Sequence, residues 1–161
     1  MKSRILLIDD DPLILKSFKL LLSHEGYEVI PTSSYEEALR AFEEKQFDLV
    51  LSDIRMPGKN GAETVSEIQS RLSSAGKGEL PIIFITGYAE YGDQLKAEFV
   101  GEVLIKPVDT NKLLTTIRAY FEKNSDALKD QNSGVRSVEE EVKKDDRYTS
   151  GQDIQTEAEQ R

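Results

Sequence analysis

The stretch FDLVLSDIRMPGKNG, Phe47 to Gly61, runs a short apolar segment into a bare carboxylate, Asp53, and then into a Met56-Pro57-Gly58 turn. Near-continuous apolarity over a few residues, closed by Pro and Gly, reads as a strand covered on both faces that leaves its sheet at the carboxyl end. Four further runs share this pattern, at Arg4–Ile8, Tyr27–Ile30, Ile82–Ile85 and Val103–Ile105. Helix-length stretches separate them. In the first, Pro12 follows Asp11, and Ile14, Phe18, Leu21 and Leu22 then recur at helical spacing. Ser34 and Glu37 make a capping box that opens the second. The third is predicted from about Asn60 through Leu72, fraying into a loop that contains Gly76, Lys77 and Gly78. A short fourth is predicted near Asp93 to Val100. The fifth follows Asp109-Thr110 and places Leu113, Leu114, Ile117, Tyr120 and Phe121 on one face. Such alternation implies a doubly wound, five-stranded parallel α/β sheet with right-handed crossovers, in the common strand order 2-1-3-4-5.

Composition narrows the function. The chain has 161 residues, of which 38% are hydrophobic and 32% charged, which suits one domain with a single core. A net charge of -9 argues against direct nucleic-acid binding, because phosphate contacts need clustered Lys and Arg. There are no cysteines, so disulfides and thiolate metal sites are excluded, in keeping with a reducing compartment. The run Ile5 to Ile8 is too short for a signal sequence or a membrane span, and a cytoplasmic location is expected. After Lys123 the character changes, with only 8 of 38 residues apolar. The expected organisation is a domain over 1–123 and a polar, disordered tail over 124–161. Val135, Val138 and Val142 are spaced so that a short partner-docking helix is the alternative for part of that tail.

The polar residues gather at one edge of the predicted sheet. Asp9 and Asp10 end strand one, Asp53 ends strand three, Thr86 ends strand four and Lys106 ends strand five. Strands one and three are neighbours about 4.8 Å apart in that order, so three carboxylates converge. Two such charges about 5 Å apart, at an effective dielectric near 20, repel by roughly 3 kcal/mol. Positive charge must offset this. Oxygen ligands without His or Cys point to a hard cation, Mg2+ with Mn2+ as an alternative, and Lys106 adds an ammonium. Acid, metal, lysine and hydroxyl together suit phosphoryl transfer: Asp53 as nucleophile, Lys106 neutralising charge and Thr86 donating to a phosphoryl oxygen.

The segments LLIDDDP, DLVLSDIRMPGKNG, FITGY and LIKPVD, in this order at successive strand ends, resemble the receiver domain of the response-regulator family of two-component signalling, over about residues 2–122. The resemblance implies a flavodoxin-like fold and phosphorylation of Asp53 by a sensor histidine kinase or a phosphotransfer protein. It implies a Mg2+ site made by Asp10, Asp53 and the backbone carbonyl of Arg55, with Asp9 acting largely through water. Thr86 and Lys106 are then the switch residues, and the output face is made by helix four, strand five and helix five. A downstream protein or a second copy would dock there. The stretch between Thr86 and Lys106 is slightly compressed relative to the family, and three positions depart from the family pattern or bear on it. Val103 stands where an aromatic is usual, three residues before the lysine. Arg55 and Tyr88, two after Asp53 and two after Thr86, are large and offer no carboxylate or amide to position water, which implies a long-lived phosphoryl group.

Other readings are weaker. A hydrolase passing through aspartyl phosphate needs a second acid two residues after the nucleophile, and that position is Arg55. Gly76-Lys77-Gly78 lacks the spacing of a phosphate loop and precedes a strand. His24, the one histidine, suits a helix C-terminus. A receiver-fold interaction module, or a fragment of a larger regulator or hybrid kinase, remains as the alternative to a free-standing switch. No DNA-binding output segment is recognisable in the tail.

Overall fold

Every strand of the sheet is paired in parallel, so consecutive strands must be joined by crossovers, and the helices of those crossovers cover its faces. The computed structural model describes residues 1–87 and 101–123. The helix expected near Asp93 to Val100, Tyr88, and the tail from 124 lie outside the described residues. The chain divides into two compact units, Met1–Arg118 and Ala119–Arg161, and the whole sheet belongs to the first.

The order of elements is β1 (Arg4–Ile8), α1 (Pro12–His24), β2 (Glu28–Thr32), α2 (Tyr35–Glu44), β3 (Leu49–Asp53), α3 (Gly61–Ser74), β4 (Ile82–Thr86) and β5 (Gly101–Ile105). A further helix spans 110–123. The strand order is β2-β1-β3-β4-β5, the flavodoxin-like arrangement expected. β3 and β4 are buried at every position, which is why their sequences show no polar alternation.

Alternate residues divide between two faces. Leu6, Ile8, Val50, Ile82, Phe84 and Val103 build one cluster with Ala38 and Leu39 of α2 and Val65 and Ile68 of α3. Elsewhere Leu22 of α1 and Leu113, Leu114 and Ile117 of the 110–123 helix are buried, and Arg118 pairs with Glu25 just beyond α1. Truncating one of these buried aliphatic side chains to Ala costs about 2–5 kcal/mol. Among the described residues, no helix is long and apolar enough to cross a membrane.

Several boundaries differ from the sequence expectation; β4 runs on to Thr86 and β5 starts at Gly101, and three others have a clear cause. β2 runs on through Pro31 to Thr32, whose hydroxyl donates to the Leu7 carbonyl at 3.0 Å. Pro31 is tolerated because β2 is an edge strand and needs no N–H on its open side. β3 starts at Leu49 and includes Asp53, because the ladder to β4 carries Asp53 opposite Ile85. α3 does not fray at Leu72. It continues to Ser74 and closes where Gly76, at φ 65°, lets the Lys77 amide donate back to the Leu72 carbonyl at 2.9 Å.

The Ser34–Glu37 capping box expected at α2 forms only in part, because the glutamate reaches Ser33 instead of the Ser34 amide. Ser34 accepts from the Glu37 amide at 3.2 Å, while the Glu37 carboxylate accepts from the amide and hydroxyl of Ser33. The Ser33 amide, then its hydroxyl, hold the Glu37 carboxyl below the usual range. A lowered folded pKa gives stability that is present above the unfolded value and lost as pH falls through the folded one. Glu37→Ala should therefore cost about 0.5–1 kcal/mol at neutral pH in urea unfolding, a deficit that shrinks below about pH 4.

Candidate functional site

The carboxyl edge of the sheet collects its acids because three parallel neighbours end together. Ile8 pairs with Ser52 and Asp53 with Ile85, so β1 delivers Asp9 and Asp10 beside the end of β3. One carboxylate oxygen from each of Asp9, Asp10 and Asp53 lies within 4.8 Å of the others. Asp9 is 2% exposed and Asp53 8%, whereas Asp10 is exposed. The Lys106 ammonium, reaching over from the end of β5, lies 3.3 Å from Asp9 Oδ2 and 3.5 Å from Asp53 Oδ2. One ammonium thus serves two of three acids.

Backbone donors settle the other oxygens of Asp9 and Asp53. Asp9 Oδ1 accepts from the Asp11 amide at 2.9 Å, and Asp53 Oδ1 accepts from the Ile54 amide at 2.8 Å. Asp11 itself caps α1, accepting from the Leu13 amide. Of the three adjacent aspartates, the first and second therefore face the cluster and the third opens the helix. Burial pushes the Asp53 carboxyl above the usual carboxylate range; Lys106 pulls against this, and Asp9 adds to it.

Thr86 is fully buried at the end of β4, and its carbonyl accepts from the Lys106 amide at 2.7 Å. That bond ties the two residues expected to act as the switch. The Lys106–Pro107 peptide is cis. Arg55 is exposed on the loop after β3. Val103, at the departure noted in the sequence, is 9% exposed inside the core cluster and opposite Phe84 in the ladder.

One residue of the site escaped the sequence reading. Gly61, the first residue of α3, packs so closely that an added Cβ would sit 1.7 Å from the Asp53 carbonyl oxygen. Its amide also donates to the Ile54 carbonyl at 2.8 Å, closing the loop of residues 54–60 onto its own start. Only glycine allows that approach. The signal was a poor helix former directly after the Asn60 cap.

Three carboxylates and one ammonium leave this edge short of positive charge, and all its side-chain donors to a metal are oxygens. That donor set fits a hard divalent cation with open positions for water and a phosphate oxygen. It does not fit zinc or copper, which favour imidazole and thiolate.

Comparison with known proteins agrees with this geometry. The family model described as the response regulator receiver domain matches residues 5–118, and the chain belongs to that family. Transcriptional regulatory protein GlrR of Escherichia coli is 35% identical over 127 residues, covering 78% of this chain but only 28% of GlrR. Among solved structures, the response regulator TrrA of Thermotoga maritima in complex with Mg2+-BeF is 33% identical, with a TM-score of 0.65, covering 73% of this chain and 98% of TrrA. A receiver domain protein from Clostridium thermocellum is 31% identical, with a TM-score of 0.68, covering 76% and 97%. The domain is thus a phospho-accepting receiver rather than a turnover enzyme, and its acid cluster resembles the Mg2+ and phospho-acceptor site of such domains.

Two substitutions test the electrostatic and steric claims. A raised folded pKa means that the Asp53 charge costs stability once pH rises through it. Asp53→Asn should stabilise the metal-free protein by about 1–2 kcal/mol at neutral pH, with Lys106 offsetting part of the bare repulsion. The gain should close on acidification in a urea titration with chelator. Gly61→Ala should destabilise by about 1–3 kcal/mol, read the same way, because either α3 or the end of β3 must shift.

Proposed function

We propose that Asp53 is the phospho-acceptor of this receiver domain and that residues 1–123 act as the switch, with 124–161 as a polar tail. The observation that carries this is the convergence of Asp9, Asp10 and Asp53, with the Lys106 ammonium paired to Asp9 and Asp53. Asp53 Oδ1 is occupied by the Ile54 amide, which leaves Oδ2, on the Lys106 side, to attack. As the new P–O bond forms, the bond from phosphorus to the donor's imidazole nitrogen breaks and its electron pair returns to the ring. Lys106 sits where charge develops on the phosphoryl oxygens, and the Thr86 hydroxyl donates to one of them. Mg2+ would be held by Asp10, Asp53 and the Arg55 carbonyl, with Asp9 assisting, and would supply charge neutralisation. TrrA, captured with Mg2+-BeF, supports this ligand class.

The donor is proposed to be a sensor histidine kinase or a phosphotransfer protein. Leu13 and Leu20 lie two turns apart on α1 and are 73% and 72% exposed, an apolar pair beginning beside the acid edge. A protein donor could cover that pair, whereas a small molecule could not. The added phosphoryl charge would draw Thr86 and Lys106 toward it. The two are already bonded through backbone. The change is proposed to reach a downstream protein or a second copy through the face of the fourth helix, β5 and the 110–123 helix. The transcriptional role in GlrR's name belongs to a protein of which this chain spans 28%, and it is not carried over.

Incubation with a small acyl phosphate and Mg2+ should add one phosphoryl mass to the wild type and none to Asp53→Ala. A label on another residue would overturn the assignment. Arg55 and Tyr88 are proposed to slow hydrolysis by offering incoming water no carboxylate or amide. Decay of the phosphorylated form should accelerate several-fold in Arg55→Asn or Tyr88→Glu, and unchanged decay in both would remove that role.

A further inference from the structure

The loop from Ile54 to Asn60 carries the Arg55 carbonyl, so its order bears on any cation held there. Its two ends are closed by the bond from the Gly61 amide to the Ile54 carbonyl. Met56 is buried in the core cluster, and Asn60 and Glu63 form a reciprocal capping box. All of these ties reach the loop from its own flanks or from the core beneath. Lys59 makes a different one. It follows Gly58, at φ 75°, and its ammonium lies 4.2 Å from the centroid of the Tyr35 ring, on the first residue of α2.

Tyr35 is a fixed platform. It packs against the core cluster and directly follows Ser34, the N-cap whose side chain accepts from the Glu37 amide and sets the start of α2. Lys59 has acids near it, yet both are committed elsewhere: Glu63 accepts from the Asn60 amide and Glu67 from Arg71 Nε. The ring face is what the ammonium meets. A side-chain hydrogen bond to Tyr35, which runs through its hydroxyl and which Tyr35→Phe would remove while keeping the ring, is the largest cause holding the Lys59 ammonium above its ordinary range, with Glu67 and Glu63 contributing less.

We infer that Lys59 and Tyr35 are a positioning pair, a cation–π tie from α2 that holds the loop after β3 and thereby presets the Arg55 carbonyl for a divalent cation. The inference rests on the proposed reading of the acid cluster for its cation arm, but not for its loop arm. Neither residue belongs to the cluster of Asp9, Asp10 and Asp53. A contact of this kind at a partly exposed site corresponds to roughly a two- to five-fold change in an equilibrium constant.

The test uses the full chain and two readouts. Amide exchange of Arg55, Met56, Gly58, Lys59 and Gly61 is followed in metal-free protein, and Mg2+ affinity is measured by calorimetry. Tyr35→Leu keeps the local charge and most of the apolar bulk; it should speed loop exchange and weaken Mg2+ binding roughly two- to five-fold. Tyr35→Phe, which keeps the ring face, should restore both. In a Lys59→Met background, Tyr35→Leu should change neither further. Lys59→Met is exposed and reads loop exchange from the other side should Tyr35→Leu fold poorly. Wild-type exchange and affinity in Tyr35→Leu would overturn the pair, as would Phe performing no better than Leu, or an undiminished Leu effect without Lys59. Absence of Mg2+ binding in the wild type would instead sink the cation reading and the cation arm with it; loop exchange, which needs no metal, would then decide the tie alone.

Discussion

Repulsion among Asp9, Asp10 and Asp53 is the constraint to which the rest of this molecule answers. A parallel sheet ends its strands on one edge, and here the ends of β1 and β3 bring three carboxylate oxygens within 4.8 Å of one another. Two of the acids are nearly removed from solvent, so water screens them poorly. The fold holds them there with strands that are apolar on both faces and whose burial outweighs the local cost. Lys106 relieves part of that cost, and the residue of unbalanced charge is what gives the edge its appetite for a cation and a phosphoryl group.

The same constraint explains why the neighbouring backbone is so closely tied. Asp53 is held by the Ile54 amide on one oxygen, by Ser52 Oγ on its carbonyl and by the close approach of Gly61 on the same carbonyl. Thr86 and Lys106 are joined by a backbone bond between adjacent strand ends. A charge placed on Asp53 therefore meets groups with little freedom to move independently. On the proposed reading, such a site would convert a local electrostatic change into a concerted displacement, since packed elements shift between discrete arrangements rather than flexing.

Much of this was legible in the sequence, for reasons that can be stated residue by residue. Strands buried on both faces write themselves as runs such as Ile82 to Ile85, and a cluster of acids at strand ends can be placed once the strand order is known. The end of β2 was not legible, because Pro31 breaks a central strand but not an edge, and the edge is a property of the whole sheet. Gly61 fell inside the predicted third helix with no role of its own. Its need arises from the Asp53 carbonyl eight residues away, a contact created only when α3 folds back over the end of β3. The meeting of Lys59 with Tyr35 is of the same kind: two ordinary residues whose relation exists only in three dimensions.

The central claim is that the fold holds a cluster of acids at a cost that a divalent cation relieves. The direct measurement is the unfolding free energy in urea as a function of Mg2+ concentration at constant ionic strength. Binding to the folded state alone predicts a rise that follows RT ln(1 + [Mg2+]/Kd), about 2.7 kcal/mol at a hundred times Kd. Replacing Mg2+ by Na+ should produce none of it. A stability that does not change with Mg2+, or that rises equally with either salt, would contradict the account.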